Sequence, residues 1–249
     1  MGSVCGVRVC QPITAVLTVG LYALGALLAR GVLLLLARPR LEGRGRIPLR
    51  GGLLLVANHT SLVDPVLLAA LFPRRLVFVA KAELFRYWPL GWILRAIGAI
   101  PVRRGQADIR AVRAALARLA AGEAVVVFPE GTRSRTGVLG RAQAGAGWLA
   151  ARSRAPVLPV AITGTEQLRR PASWVRRPLL LVRCGVAAPC PTGDGELSGD
   201  YQMIADELLA RVAALLPVER RGPYASRVLA SGEVGAAREF GKQAWALRR

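Results

Sequence analysis

The sequence holds a single histidine, His59, and only two lysines, Lys81 and Lys242, among 249 residues. Imidazole is the one side chain that titrates near neutrality without perturbation. Any histidine-based proton transfer must therefore run through His59. The four cysteines, Cys5, Cys10, Cys184 and Cys190, form no CxxC pair and stand far from that histidine, so no metal site is expected. They suggest no disulfide framework either, which fits a reducing compartment. Aromatic residues are scarce at 6 %, and no nucleic-acid fold signature occurs, so no nucleic-acid partner is expected.

What is abundant is apolar surface and positive charge. Hydrophobic residues make up 53 % of the chain, the net charge is +20, and nearly all of the cations are arginine. Mean hydropathy is +0.38, which leans toward membrane contact. Such a charge calls for an anionic partner: a phospholipid surface, a phosphorylated substrate or a nucleic acid. A coding bias toward arginine and alanine accounts for part of it.

Residues Ile13 to Ala29 carry no charge, and Arg30 then separates them from the apolar Val32 to Ala37. Seventeen residues is the lower limit for a spanning helix, and Arg30 could snorkel near one end. A helix across the bilayer, a hairpin dipping into one leaflet and a buried soluble helix all fit this pattern. A removable signal peptide fits less well, for want of a small-x-small cleavage site. Only Arg8 precedes the run, whereas Arg38, Arg40, Arg44, Arg46 and Arg50 follow it. That bias places the following domain at the cell membrane on its cytoplasmic side.

From about residue 50, short apolar runs alternate with helix-like stretches. Strands are predicted at 53–57, 76–80, 99–103, 124–128, 157–162 and 179–184. Helices are predicted over 65–72, 90–97, 107–121, 145–153 and 201–216, the third with Ile109, Val112, Leu116 and Leu119 on one face. Continuous apolar strands predict an α/β domain whose mixed central sheet is covered by helices. After Pro217 the sequence reads as a peripheral tail with a helix near its end.

Two of these strands end in polar chemistry. The first runs into Asn58-His59-Thr60-Ser61-Leu62-Val63-Asp64-Pro65, the second into Phe128-Pro129-Glu130-Gly131-Thr132-Arg133-Ser134. Five helical positions turn the chain by about 500°, so His59 and Asp64 could not meet on one regular helix. His59 is therefore expected in a turn, with Asp64 as N-cap and Pro65 as first helical residue. Asp64 would orient His59 as a general base, and nearby backbone N–H groups could receive an oxyanion or a phosphate. In the second motif Gly131 permits close approach, Thr132 and Ser134 supply hydroxyls, and Arg133 can grip phosphate. Arg103 and Arg104 add cations at another strand end.

These blocks, with Gly98-Ala99-Ile100-Pro101-Val102-Arg103-Arg104, Val157-Leu158-Pro159-Val160 and the segment around Lys81, resemble in order those of the 1-acylglycerol-3-phosphate acyltransferases. The resemblance covers roughly residues 45 to 190. It implies acyl transfer from acyl-CoA or acyl carrier protein to a lysophospholipid hydroxyl, with no cofactor. His59 and Asp64 would be catalytic. Asn58, Lys81, Arg103, Arg104, Glu130, Gly131, Thr132 and Arg133 would bind substrate, and Pro159 would shape the acyl site. The resulting division is a membrane-associated helix or hairpin over 1–44, the acyltransferase domain over 45–216 and a basic tail over 217–249.

One stretch departs from the family. Where an aromatic and a basic residue usually precede a glycine, this chain has Gly140-Arg141-Ala142-Gln143-Ala144-Gly145. That departure favours a rival acceptor: another lysolipid, glycerol phosphate, or a lipid-linked amino acid or sugar. A serine hydrolase using Ser61 or Ser134 is disfavoured, because neither sits in a G-x-S-x-G elbow.

Overall fold

Leu53, Leu54, Leu55, Val56 and Ala57 are all fully buried, as expected for a strand covered on both faces. The computed structural model describes residues 12–103, 108–169, 172–191 and 200–230. Its strands are β1 (Arg38–Glu42), β2 (Leu53–Ala57), β3 (Leu76–Lys81), β4 (Ile100–Val102), β5 (Ala124–Val127), β6 (Val157–Thr163) and β7 (Leu179–Cys184). Its helices are α1 (Pro12–Leu36), α2 (Asp64–Leu71), α3 (Leu90–Ala96), α4 (Ile109–Ala120), α5 (Ala144–Ser153), α6 (Ala172–Val175), α7 (Tyr201–Ala214) and α8 (Ala225–Ala230). Cys5, Cys10, Arg104 and the helix expected near the carboxyl end lie outside the described residues.

The seven strands form one mixed sheet in the order β1-β7-β6-β2-β5-β3-β4. Strands β6, β2, β5, β3 and β4 run parallel, while β7 pairs antiparallel to β6 and carries β1 parallel beside it. Alternate residues of each strand feed two cores. Leu54, Val56 and Val125 pack with residues of α4, α5 and α7. Leu53, Leu55, Ala57 and Val126 pack with residues of α1 and α2 on the other face. Each fully buried leucine contributes on the order of 2 kcal/mol.

Three features differ from expectation. Strand β1 was not foreseen, because Arg38-Pro39-Arg40-Leu41-Glu42 has little apolar content. It survives as an edge strand beside β7, where Pro39 is tolerated and Glu42 pairs with Arg183 at 2.8 Å. Helix α4 buries Ala111, Ala115 and Leu119, and leaves Ile109 exposed. Val112, Leu116 and Leu119 of the expected face do pack on the core, where Ala111 and Ala115 join them. The expected tail is also part of the domain as far as residue 230: Tyr224 and Val228 are buried, and the Arg221 guanidinium donates to the Leu216 carbonyl at 3.0 Å.

Helix α1 lies along the domain, burying Leu33 and Tyr22, whose hydroxyl accepts the Leu76 N–H at 3.1 Å. Leu21, Leu24, Leu27, Leu28, Val32, Leu34 and Leu35 remain exposed. Among the described residues, no helix is long and apolar enough to cross a membrane, so the spanning version of the amino-terminal reading lacks support.

The Tyr224 hydroxyl donates to Asp206 at 2.7 Å and accepts the Ala142 N–H at 2.9 Å; burial, then the Asp206 bond, pushes its phenol upward. Tyr224→Phe should therefore lower unfolding free energy by about 1–3 kcal/mol, measured by urea denaturation. Unchanged stability would show that these two hydrogen bonds contribute nothing net to the fold.

Candidate active site

The connections after β2 and β5 diverge: α2 packs on the α1 face, α5 on the α7 face. Between adjacent parallel strands whose connections part in this way, a crevice opens at the carboxyl ends. His59 and Glu130 to Arg133 sit at its two lips.

His59 occupies the turn after β2. Its Nδ1 lies 2.9 Å from Asp64 Oδ2, and its ring stacks on Phe128 with centroids 4.2 Å apart. Asp64 has no solvent exposure. It was expected to cap α2, but it is the first residue of that helix and its carboxylate turns back. Oδ2 accepts the N–H of Thr60 at 2.7 Å and of Ser61 at 2.8 Å. Oδ1 accepts the Thr165 hydroxyl at 2.5 Å. A carboxylate already accepting from three donors acts as acceptor toward the imidazole as well, so the shared proton sits on His59 Nδ1 and leaves Nε2 as the base. This geometry corrects one expectation. The N–H groups of Thr60 and Ser61 serve Asp64, and that of His59 serves Glu130, so these three do not await an oxyanion.

Glu130 is buried and binds backbone on both sides. Its Oε1 accepts the His59 N–H and its Oε2 the Gly140 N–H, each at 2.9 Å. Burial pushes its carboxyl above the ordinary range, against the two donors, which favour the charged form. Glu130 thus ties the histidine turn to Gly140, where the departing segment begins. Ser134 N–H, donating to the His59 carbonyl at 2.7 Å, makes a second tie. Gly131 adopts φ +68°, which the tight turn into Thr132 requires. Thr132 and Arg133 then emerge exposed beside the dyad.

Asn58 spends its amide on structure. Its Nδ2 donates to the Ile162 carbonyl at 2.8 Å, and its Oδ1 accepts the Ile162 N–H at 2.7 Å, extending the β2–β6 ladder by one side chain. Pro159 is buried in mid-β6, beside Gly185 and Leu215 on the α7 face, away from the dyad. Lys81 ends β3, beside Glu83 at 3.4 Å, and Arg103 follows β4. The strand order therefore sets His59, Arg133, Lys81 and Arg103 in a row along one sheet edge, with neighbouring strands about 4.8 Å apart. A cavity of about 710 Å³ opens at the Arg103 end, lined also by Arg110, Ile109 and Ala111; His59 is not part of its lining.

Sequence reasoning missed two contributors just beyond the fourth block. Thr165 donates to Asp64 and lies 3.0 Å from the Thr60 hydroxyl, which completes a buried relay. The Arg169 guanidinium donates to the carbonyls of Thr60 at 2.5 Å and Ser134 at 3.3 Å, strapping the two motif loops together. The available signal was position: both follow the end of a strand adjoining β2. The serines of the hydrolase reading are committed elsewhere. Ser134 Oγ donates to the Val138 carbonyl at 2.7 Å, and Ser61 Oγ accepts the Val63 N–H at 3.3 Å. Cys184 is buried as well, its thiol pushed up to about 12 by that burial.

A histidine base held by a buried carboxylate at a strand end, with cations along the same edge, defines a site that can deprotonate a hydroxyl next to an anionic group. A family model described as Acyltransferase matches residues 38–163, just over half of the chain. The protein belongs to that acyltransferase family. Its fold is similar to the crystal structure of the 1-acyl-sn-glycerophosphate (LPA) acyltransferase PlsC from Thermotoga maritima, with TM-score 0.62 and 27 % identity, covering 81 % of this chain and 80 % of that one. A lyso-ornithine lipid O-acyltransferase of Pseudomonas aeruginosa is 46 % identical over 85 residues, which are 33 % of this chain and 32 % of the relative. A chloroplastic 1-acyl-sn-glycerol-3-phosphate acyltransferase of Brassica napus is 31 % identical over 115 residues, 45 % of this chain and 33 % of the relative. The matched stretch thus spans about a third of each of these two relatives.

Because the chain has one histidine, ¹⁵N-histidine labelling reports one imidazole. The spectrum should show the Nδ1–H tautomer, and Asp64→Asn should shift it toward Nε2–H. An Nε2–H tautomer in the wild type would contradict the arrangement of donors around Asp64.

Proposed function

We propose that this protein transfers a fatty acyl group from acyl-CoA or acyl carrier protein to the free hydroxyl of 1-acylglycerol 3-phosphate, yielding phosphatidic acid for phospholipid synthesis. The observation that carries the reading is the dyad: Nε2 of His59 is left as a base by the four-donor hold on Asp64. Nε2 takes the acceptor's hydroxyl proton as that oxygen attacks the thioester carbonyl. The resulting tetrahedral oxyanion collapses, the C–S bond breaks, and the departing thiolate receives the proton from His59. The thioester is already activated, so neither a cofactor nor an acyl-enzyme is needed. Arg133, Thr132 and Gly131, with Lys81 and Arg103 further along the edge, would hold the acceptor phosphate. Glu130 and Asn58 act on the backbone that carries the dyad.

On the same reading the catalytic domain sits at the cytoplasmic side of the cell membrane, with the exposed leucines of α1 as its contact.

A second acceptor is favoured by a specific observation. The segment Gly140 to Gly145 lacks the family's aromatic and basic pair, and the Pseudomonas aeruginosa relative is named for a lyso-ornithine lipid. On this reading the dyad's chemistry is unchanged and the acceptor is a lipid-linked amino acid.

His59→Ala should lower turnover by at least ~10²-fold. Arg133→Ala should chiefly raise KM for the acceptor, since a cation that grips phosphate in both ground and transition states contributes uniform binding. A labelled acyl-donor assay with lysophosphatidic acid, lyso-ornithine lipid and zwitterionic lysolipids decides between acceptors. Near-normal activity of His59→Ala would reject the mechanism, and an Arg133→Ala defect confined to the acyl donor would reassign that residue.

A further inference from the structure

Between β3 and β4 the chain exposes five large apolar side chains within seven residues: Tyr87 (65 %), Trp88 (87 %), Leu90 (41 %), Trp92 (60 %) and Ile93 (46 %). They are mounted on a rigid base. Phe85 is buried, Gly91 packs so closely that a Cβ there would meet the Phe85 carbonyl oxygen at 2.2 Å, and Arg95 lies over the Phe85 ring at 5.8 Å. The segment therefore fixes its inner side against the domain and turns its aromatic side chains outward. Soluble monomers rarely leave such a cluster uncovered.

We infer that Tyr87 to Ile93 is an interfacial insertion element that seats the domain on an anionic phospholipid bilayer, alongside α1. Three observations name this occupant. Tryptophan and tyrosine beside short aliphatics match the preferences of the headgroup boundary. Arg86 and Arg95 bracket the segment, on a chain of net charge +20, so an anionic lipid surface attracts it while a second copy is repelled. The cluster also continues an existing apolar surface, because α3 touches α1, whose leucines face outward, and Leu62 and Val66 are exposed beside the dyad. Phe128, which stacks on His59, packs into the core on this same α1–α2 face. The bilayer would thus meet the face on which the dyad opens, which rests on the acyltransferase reading given above.

The test uses the full chain, no acyl donor, and vesicles of equal parts phosphatidylcholine and phosphatidylglycerol. Trp88→Ser with Trp92→Ser should lower partitioning by roughly tenfold or more in sedimentation, leaving residual binding through α1. Brominated acyl chains should quench wild-type tryptophan fluorescence, and the paired variant should lose that quenching. Unchanged partitioning would overturn the proposal, as would a dimer that light scattering finds in the wild type and not in the variant. Should the serine pair fail to fold, Trp88→Phe with Trp92→Phe keeps the apolar area: retained partitioning with lost quenching supports insertion, and quenching at the wild-type level overturns it. Binding is read without turnover, so failure here leaves the acyltransferase assay to stand or fall separately.

Discussion

A buried carboxylate with no solvent exposure must be supplied with donors, and Asp64 draws four from two places in the chain. Two backbone N–H groups set the shape of the turn after β2, one imidazole N–H sets the tautomer of His59, and one hydroxyl comes from the loop after β6. Much else at the site follows from this demand. The turn cannot relax into a longer helix without releasing Thr60 and Ser61, and β6 must end where it does for Thr165 to reach. Asn58 enforces that register from the other side, by binding both polar groups of the Ile162 backbone.

The strands that were legible were those buried on both faces, where continuous Leu, Val and Ala leave little room for another reading. The dyad was legible for a different reason: a helix cannot bring positions 59 and 64 together, so the pairing itself demanded a turn. What escaped was decided by tertiary context. Strand β1 is held by its place beside β7 rather than by hydropathy, and Ile109, at the first turn of α4, falls outside the packed face. Thr165 and Arg169 reach the site from more than a hundred positions along the chain. The roles of Glu130 and Asn58 escaped too, since a polar residue in a motif reads the same whether it serves a substrate or a backbone.

The excess of arginine over lysine also finds a physical use. A guanidinium presents several donors in a plane and can serve several acceptors at once. Arg74 donates to the carbonyls of Pro48, Gly51 and Gly122, each at 2.8 Å, and so gathers loops at the end of the sheet opposite the dyad. Arg169 does the same between the two motif loops. Many of these cations are therefore internal fasteners, and the net charge overstates how much of the basic surface is offered to a ligand.

Both margins of the sheet, β1 and β4, contain a proline, Pro39 and Pro101, and β4 is only three residues long. A margin with a missing N–H and little length is a poor template for another strand. The five central strands are rich in the aliphatic sequences that stack into fibrils when molecules crowd together. Blunted margins let copies of this enzyme crowd together without zipping into one another, so local enrichment need not end in precipitation.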